Sequence, residues 1–131
     1  MENIRVPVSP GEVLDKITIL EIKSERMEDP EKVANVRAEL ALLQDTWANA
    51  VPEDGVVRDL HAQLREINEA LWEIEDDIRD CERDRDFGQR FVELARAVYR
   101  TNDERAAIKR EINLKLGSQL VEEKSYQDYR A

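Results

Sequence analysis

Apolar side chains recur along this chain at spacings of three and four residues, the period of an α-helix that buries one face. The pattern predicts four helical segments, at 9–27, 30–51, 56–84 and 88–117, joined by short turns. An extended arm (1–8) precedes them and a polar tail (118–131) follows them. The predicted fold is therefore all-α, an antiparallel bundle of about four helices in a single domain over residues 1–131.

The first two helices begin at clear start signals. Ser9 caps the first helix, Pro10 takes its first position, and Glu12 follows three residues after the cap. This is a capping box, in which the glutamate side chain reaches back to the cap. In the second helix, Asp29 is the expected cap and Pro30 takes the first position. The first helix also carries isoleucines opposite its main apolar stripe, so we expect neighbours to cover it on two sides.

The third and fourth segments carry regular heptads and predict one long helical hairpin. The third seam consists of Val57, Leu60, Leu64, Ile67, Leu71, Ile74, Ile78 and Cys81. The fourth consists of Phe91, Ala95, Val98, Asn102, Arg105, Lys109, Ile112 and Leu116, with Gly117 at the C-terminal cap. Antiparallel pairing of the two seams places the turn near residue 86. This hairpin would overhang the shorter first pair by roughly 15 Å, so a second copy of the chain is expected to cover it in a homodimer.

Three polar residues interrupt the fourth seam, namely Asn102, Arg105 and Lys109. A buried cation without a partner costs several kcal/mol, so another group must neutralise it. A small anionic ligand with a carboxylate or phosphate group would do so. The candidate binding residues are this row, its neighbours Tyr99 and Asn113, and Asp15 and Lys16 across the bundle.

Three structural interpretations compete with the ligand site. Acidic residues from another helix, such as Glu21, would pair with the cations. Alternatively, Thr101–Glu104 forms a second capping box at which the fourth helix breaks and turns Arg105 toward its edge. Lastly, the row would lie in a partly hydrated dimer interface. The sequence leaves these alternatives open.

Composition narrows the function classes. The 131 residues carry a net charge of −10, which disfavours binding to nucleic acid or to anionic membranes. No stretch is apolar enough for a membrane span, and no secretory signal is visible. The single cysteine, Cys81, fits a reducing cytoplasmic location. The one histidine, His61, has no glutamate three residues before it, which excludes a di-iron bundle, and we expect neither metal nor cofactor.

Three stretches of the chain resemble a bacterial family catalogued only as a domain of unknown function. They are Val8–Lys23 (containing S-P-G-E-x-x-D-K-x-T-I-L-E-I-K), Leu94–Asp103 (ending in T-N-D) and Glu122–Tyr126 (E-E-K-S-Y). The resemblance covers nearly the whole chain and implies a bacterial, all-helical, stand-alone protein. It implies no activity.

A looser resemblance is to the all-helical chorismate mutases, which are intertwined dimers that hold a dicarboxylate between arginines and lysines. It implies such roles for Lys16, Arg26, Arg105 and Lys109. The chain lacks that family's opening pattern of closely spaced arginine and aspartate. An enzyme acting on a dicarboxylate metabolite is therefore the alternative to an interaction or anion-binding module.

Overall fold

The computed structural model of the chain describes residues 1–121 and 123–130. It contains four α-helices: α1 (Pro10–Arg26), α2 (Pro30–Ala50), α3 (Arg58–Arg83) and α4 (Gln89–Lys115). A single 3₁₀ turn, Asp54–Val57, leads into α3, and no strand occurs in the described ranges. The predicted all-α class is confirmed. The predicted tail includes residues 122 and 131, which lie outside the described residues.

The helix ends show the local chemistry that the sequence indicates. The Ser9 hydroxyl accepts a hydrogen bond from the Glu12 amide at 3.3 Å, as the predicted cap requires. The Glu12 side chain departs from the prediction, because its carboxylate lies 2.8 Å from Lys109 Nζ instead of reaching back to the cap. At the end of α4, Gly117 adopts a left-handed φ of 66° and the Ser118 amide donates to the Asn113 carbonyl.

Helices α3 and α4 form the predicted antiparallel hairpin, and α1 packs against α2, α3 and α4. The expectation that α1 is covered on more than one side is thus confirmed. Helix α2 lies outermost, against α1. In the hairpin turn Arg85 takes a left-handed φ of 53°, and the Asp86 amide donates to the Cys81 carbonyl at 2.8 Å. The turn therefore lies near residue 86, as the seam register predicts.

The hydrophobic core lies at the open end of the hairpin. Its fully buried members are Leu14, Ile17, Trp47, Val57, Leu60, Leu64 and Ile112. Within this cluster the α3 members end at Leu64, and Ile108 of α4 packs against it. Leu71 and Cys81 of α3 are also buried, outside the cluster. Nearer the turn, Ile74, Ile78 and Phe91 are only half-buried. Apart from the buried Cys81, the seam near the turn is therefore less completely covered than the open end.

Among the described residues, no helix combines the length and the apolarity needed to cross a lipid bilayer.

Candidate functional site

The polar row lies on one uninterrupted face of α4. Residues 101–104 are helical, so the interpretation in which a capping box breaks the helix there is wrong. Asn102 and Arg105 are half-buried and Lys109 is buried. All three therefore keep the seam positions that the heptad predicts.

Arg105 forms a bidentate ion pair with Asp15 of α1. Its Nε atom donates to Asp15 Oδ1 at 2.9 Å, and its Nη2 atom donates to Oδ2. Asn68 of α3 donates to the same Oδ1 at 2.9 Å and to the Thr18 hydroxyl at 2.7 Å. Thr18 in turn donates to the Asp15 carbonyl. Because the buried carboxylate accepts from two side chains and the two arginine bonds are parallel, the guanidinium is fixed in orientation.

Lys109 and Asn113 hold the first turn of α1. Lys109 pairs with Glu12, and the Asn113 side-chain oxygen accepts from the Gly11 amide at 2.7 Å. Acids from another helix therefore pair with these cations, as the first of the three structural interpretations expects. Among the described residues, Asp15 and Glu12 are such acids.

The predicted acid, Glu21, belongs to a separate charged cluster between α1 and α3. It lies 3.4 Å from Arg65 and 3.7 Å from His61, and Arg65 also binds Glu25 and Glu69. Burial lowers the pKa of Arg65, but its hydrogen bonds to Glu69 and Glu25 outweigh that effect and raise it. Arg65 therefore stays charged at any physiological pH. Its role is to join the two helices.

The row on α4 faces a cleft of about 900 Å³, named here the tail cleft, which lies between α4 and the C-terminal tail. The α1 and α4 side presents Glu12, Val98, Tyr99, Asn102, Asp103, Arg105, Ala106 and Lys109. The tail side presents Glu123, Lys124, Ser125, Tyr126, Gln127 and Tyr129. The cations therefore pair with acids and also line a cavity, two outcomes that the sequence treats as alternatives.

Ion pairs and one aromatic contact hold the tail across the cleft. Lys124 Nζ lies 3.2 Å from Asp103 Oδ1, and Arg110 pairs with Glu123. The rings of Tyr99 and Tyr129 lie 5.0 Å apart at their centroids. Sequence reasoning assigns no role to the tail, because it has no helical period. The signal it offers is a lysine and two tyrosines within six residues of chain.

Most of the predicted site residues meet at the tail cleft. Tyr99, Asn102, Arg105 and Lys109 line it. Asp15 and Asn113 stand behind the lining and bind Arg105 and the Gly11 amide. Lys16 is not brought to the site, because it points away and pairs with Glu39 at 3.0 Å on the exposed side of α1. The tail residues, Glu12 and Asp103 complete the wall and were not predicted.

The three stretches that carry the family resemblance converge on the tail cleft. The first contributes Glu12 and Asp15, the second Tyr99, Asn102 and Asp103, and the third Lys124, Ser125 and Tyr126. Glu122, the first residue of the third stretch, lies outside the described residues. Segments more than 100 residues apart in the chain thus build one surface.

Comparison with protein families matches residues 4–130 to a family of unknown function, DUF6165. The match covers almost the whole chain, so the protein belongs to that family. No curated protein and no solved structure matches the chain.

Proposed function

We propose that this DUF6165 protein binds a small anionic ligand in the tail cleft, with Arg105 and Lys109 as its anion-binding groups. The observation that carries the proposal is the position of the Asp15–Arg105 pair. The Asp15 side chain is 2% exposed, whereas that of Arg105 is 28% exposed and lines the cleft. The acid thus holds the guanidinium from behind. Asp15 occupies the Nε–Nη2 edge of the guanidinium, so a carboxylate or phosphate group of a ligand would bind the remaining N–H groups of Nη1 and Nη2.

The second cation can also serve a ligand. The Lys109 side chain is buried, but its partner Glu12 is 49% exposed. Because the Lys109 side chain is buried, it must keep an anionic partner, and an incoming anion can take the place of Glu12, whose carboxylate can return to water. Asp15 differs, because it lies within a network of hydrogen bonds and remains in place.

A binding role is favoured over the chorismate-mutase-like alternative. That alternative needs Lys16 and Arg26 close to Arg105 and Lys109. In the fold, Lys16 pairs with Glu39 and Arg26 lies 3.5 Å from Glu73, both outside the tail cleft.

The proposal includes a cytoplasmic homodimer. The single cysteine, Cys81, is buried and has no disulfide partner within the chain, which suits that compartment. The main hydrophobic cluster lies at the open end of the hairpin, whereas Ile74, Ile78 and Phe91 near the turn are only half-buried, so we expect a second copy to cover this part of the seam.

A thermal-shift screen with phosphate, sulfate, malonate and succinate, at matched ionic strength with chloride, tests the anion site. We expect at least one anion to raise the melting temperature progressively, with the logarithm of its concentration once the site is mostly occupied. The Arg105→Met variant should bind that anion at least tenfold more weakly, about 1.4 kcal/mol. Arg96→Met removes an exposed cation from the same helix, outside the cleft lining, and should bind normally. The proposal is wrong if no anion stabilises the protein, or if both variants lose affinity equally.

A further inference from the structure

Cations from two separate parts of the chain are aligned along the tail cleft. Lys109 lies at one end and Arg105 one turn away. Lys124 reaches over from the tail to the other end, where its Nζ atom contacts the Asn102 carbonyl at 3.5 Å and Asp103 at 3.2 Å. Positions 102 to 109 span about 10 Å of a helix that rises 1.5 Å per residue. The three cations therefore follow one another along this stretch of α4, and they are named here the cationic line.

We propose that the tail cleft takes a ligand with two linked anionic groups, an organic diphosphate, and that the tail supplies Lys124 as its third cation. This inference rests on the anion-binding function proposed above. Because the three cations are spread along about 10 Å of α4, a ligand with two linked phosphates would contact more of them than a single phosphate would. Each charge-assisted hydrogen bond from a cation to a phosphate oxygen would span about 2.7–2.9 Å.

The acids of the cleft fit the same arrangement. Glu12 faces Lys109 and Asp103 faces Lys124, and both carboxylates are partly exposed. With no ligand present, they neutralise the line of cations and so limit mutual repulsion. Because they remain in contact with water, two phosphate groups can take their places and restore the same charge balance.

The tyrosines provide a surface for the organic part of the ligand. Tyr99, Tyr126 and Tyr129 line the cleft, and all three side chains are exposed. The Tyr126 ring lies 5.6 Å from Lys124 Nζ, beside the tail end of the cationic line. A flat group attached to the second phosphate would lie against this ring, where stacking on an aromatic face favours planar ligands.

Titration calorimetry in magnesium-free buffer with orthophosphate, pyrophosphate and ADP tests the inference. We expect pyrophosphate to bind at least tenfold more tightly than orthophosphate. Lys124→Gln should abolish that difference and leave orthophosphate affinity within twofold of the wild type, while Lys124→Arg should retain it. The matched control is Lys115→Gln, at an exposed position outside the cleft lining, and it should bind like the wild type. Tyr126→Ala should weaken ADP and leave pyrophosphate unchanged.

The outcomes separate the two proposals. If orthophosphate binds in an Arg105-dependent way but pyrophosphate binds no more tightly, the diphosphate inference is overturned and the anion site stands. If pyrophosphate binds more tightly yet Lys124→Gln has no effect, the role of the tail is overturned. If Lys124→Gln lowers the melting temperature of the ligand-free protein, Lys124→Arg becomes the test of the tail. Retention of the pyrophosphate preference by Lys124→Arg then supports the inference, and its loss overturns it. If none of the three compounds binds, this inference fails, and the screen with carboxylates and sulfate then decides the fate of the anion site.

Discussion

The backbone nitrogen of Gly11 lies 2.7 Å from the side-chain oxygen of Asn113, 102 residues further along the chain. Asn113 is 1% exposed, so this bond fixes the first turn of α1 directly against α4. Glu12 and Asp15 follow on the same helix, within one and a half turns of Gly11. Their meeting with Lys109 and Arg105 therefore depends on this close approach of two helices.

Replacing Gly11 with alanine should push α1 and α4 apart. A Cβ atom at this position would lie 2.5 Å from the Lys109 carbonyl oxygen and 2.9 Å from Asn113 Oδ1. Alanine is normally more favourable than glycine within a helix, but here the clash with the Lys109 backbone outweighs that gain. We therefore expect the unfolding free energy to fall by about 1–3 kcal/mol. Urea denaturation measures it. Gly55→Ala is the control, because the nearest atom to its Cβ is the flexible Arg58 Nη2 at 3.9 Å. Equal stabilities for the two variants would contradict the packing described here.

A double-mutant cycle should reveal the coupling between Asp15 and Arg105. Each single change, Asp15→Asn or Arg105→Met, leaves a group without its ionic partner, whereas the double variant removes both charges. We expect the double variant to lose less unfolding free energy than the two single variants lose together, by about 0.5–3 kcal/mol. The same cycle on the exposed Lys16–Glu39 pair should give about 0–1 kcal/mol. A coupling at Asp15–Arg105 no larger than this reference would mean that the buried pair is not formed in solution.

The core at the open end of the hairpin should be sensitive to cavities. Leu64 is completely buried among core residues, and Leu64→Ala should cost about 2–5 kcal/mol of unfolding free energy. Leu71→Ala, in the same seam, should fall in that range as well. Leu42→Ala, at an exposed position of α2, should change stability by less than about 0.5 kcal/mol. Losses below about 1 kcal/mol at both seam positions would show that the α3 register is wrong.

The helices and the hairpin register could be predicted from the sequence because they depend on local periodicity. Arg105 and Lys109 share a seam with Ile112, so their common face follows once α4 is one helix. The sequence places Asp15 among the candidate neighbours across the bundle, but helical periodicity predicts neither its ion pair with Arg105 nor the pairing of Glu12 with Lys109. Glu12 and Asp15 meet them only because α1 crosses the hairpin at Gly11, and nothing periodic in the sequence records where two helices cross.

The path of the C-terminal tail could not be predicted from helical periodicity. Lys124 and Tyr126 reach the cleft through an irregular path that is held by side-chain pairs with α4. Such contacts depend on the folded surface of α4 and leave no pattern in the tail itself. The sequence therefore indicates the α4 side of the site but not the opposite wall.

Light scattering at micromolar concentration tests the proposed homodimer, and we expect about twice the chain mass of 15.3 kDa. The apolar surface near the hairpin turn, where Phe87 and Val92 are exposed, is the surface that a second copy would cover. Val92→Glu should therefore produce a monomer, since a charge in an apolar interface lacks a partner. The substitution should not unfold α4, because an acidic residue in the first turns of a helix is favourable. Leu42→Glu, on the exposed side of α2, should leave the dimer intact. A wild-type chain that stays monomeric at high concentration would show that the hairpin end is stable without a partner.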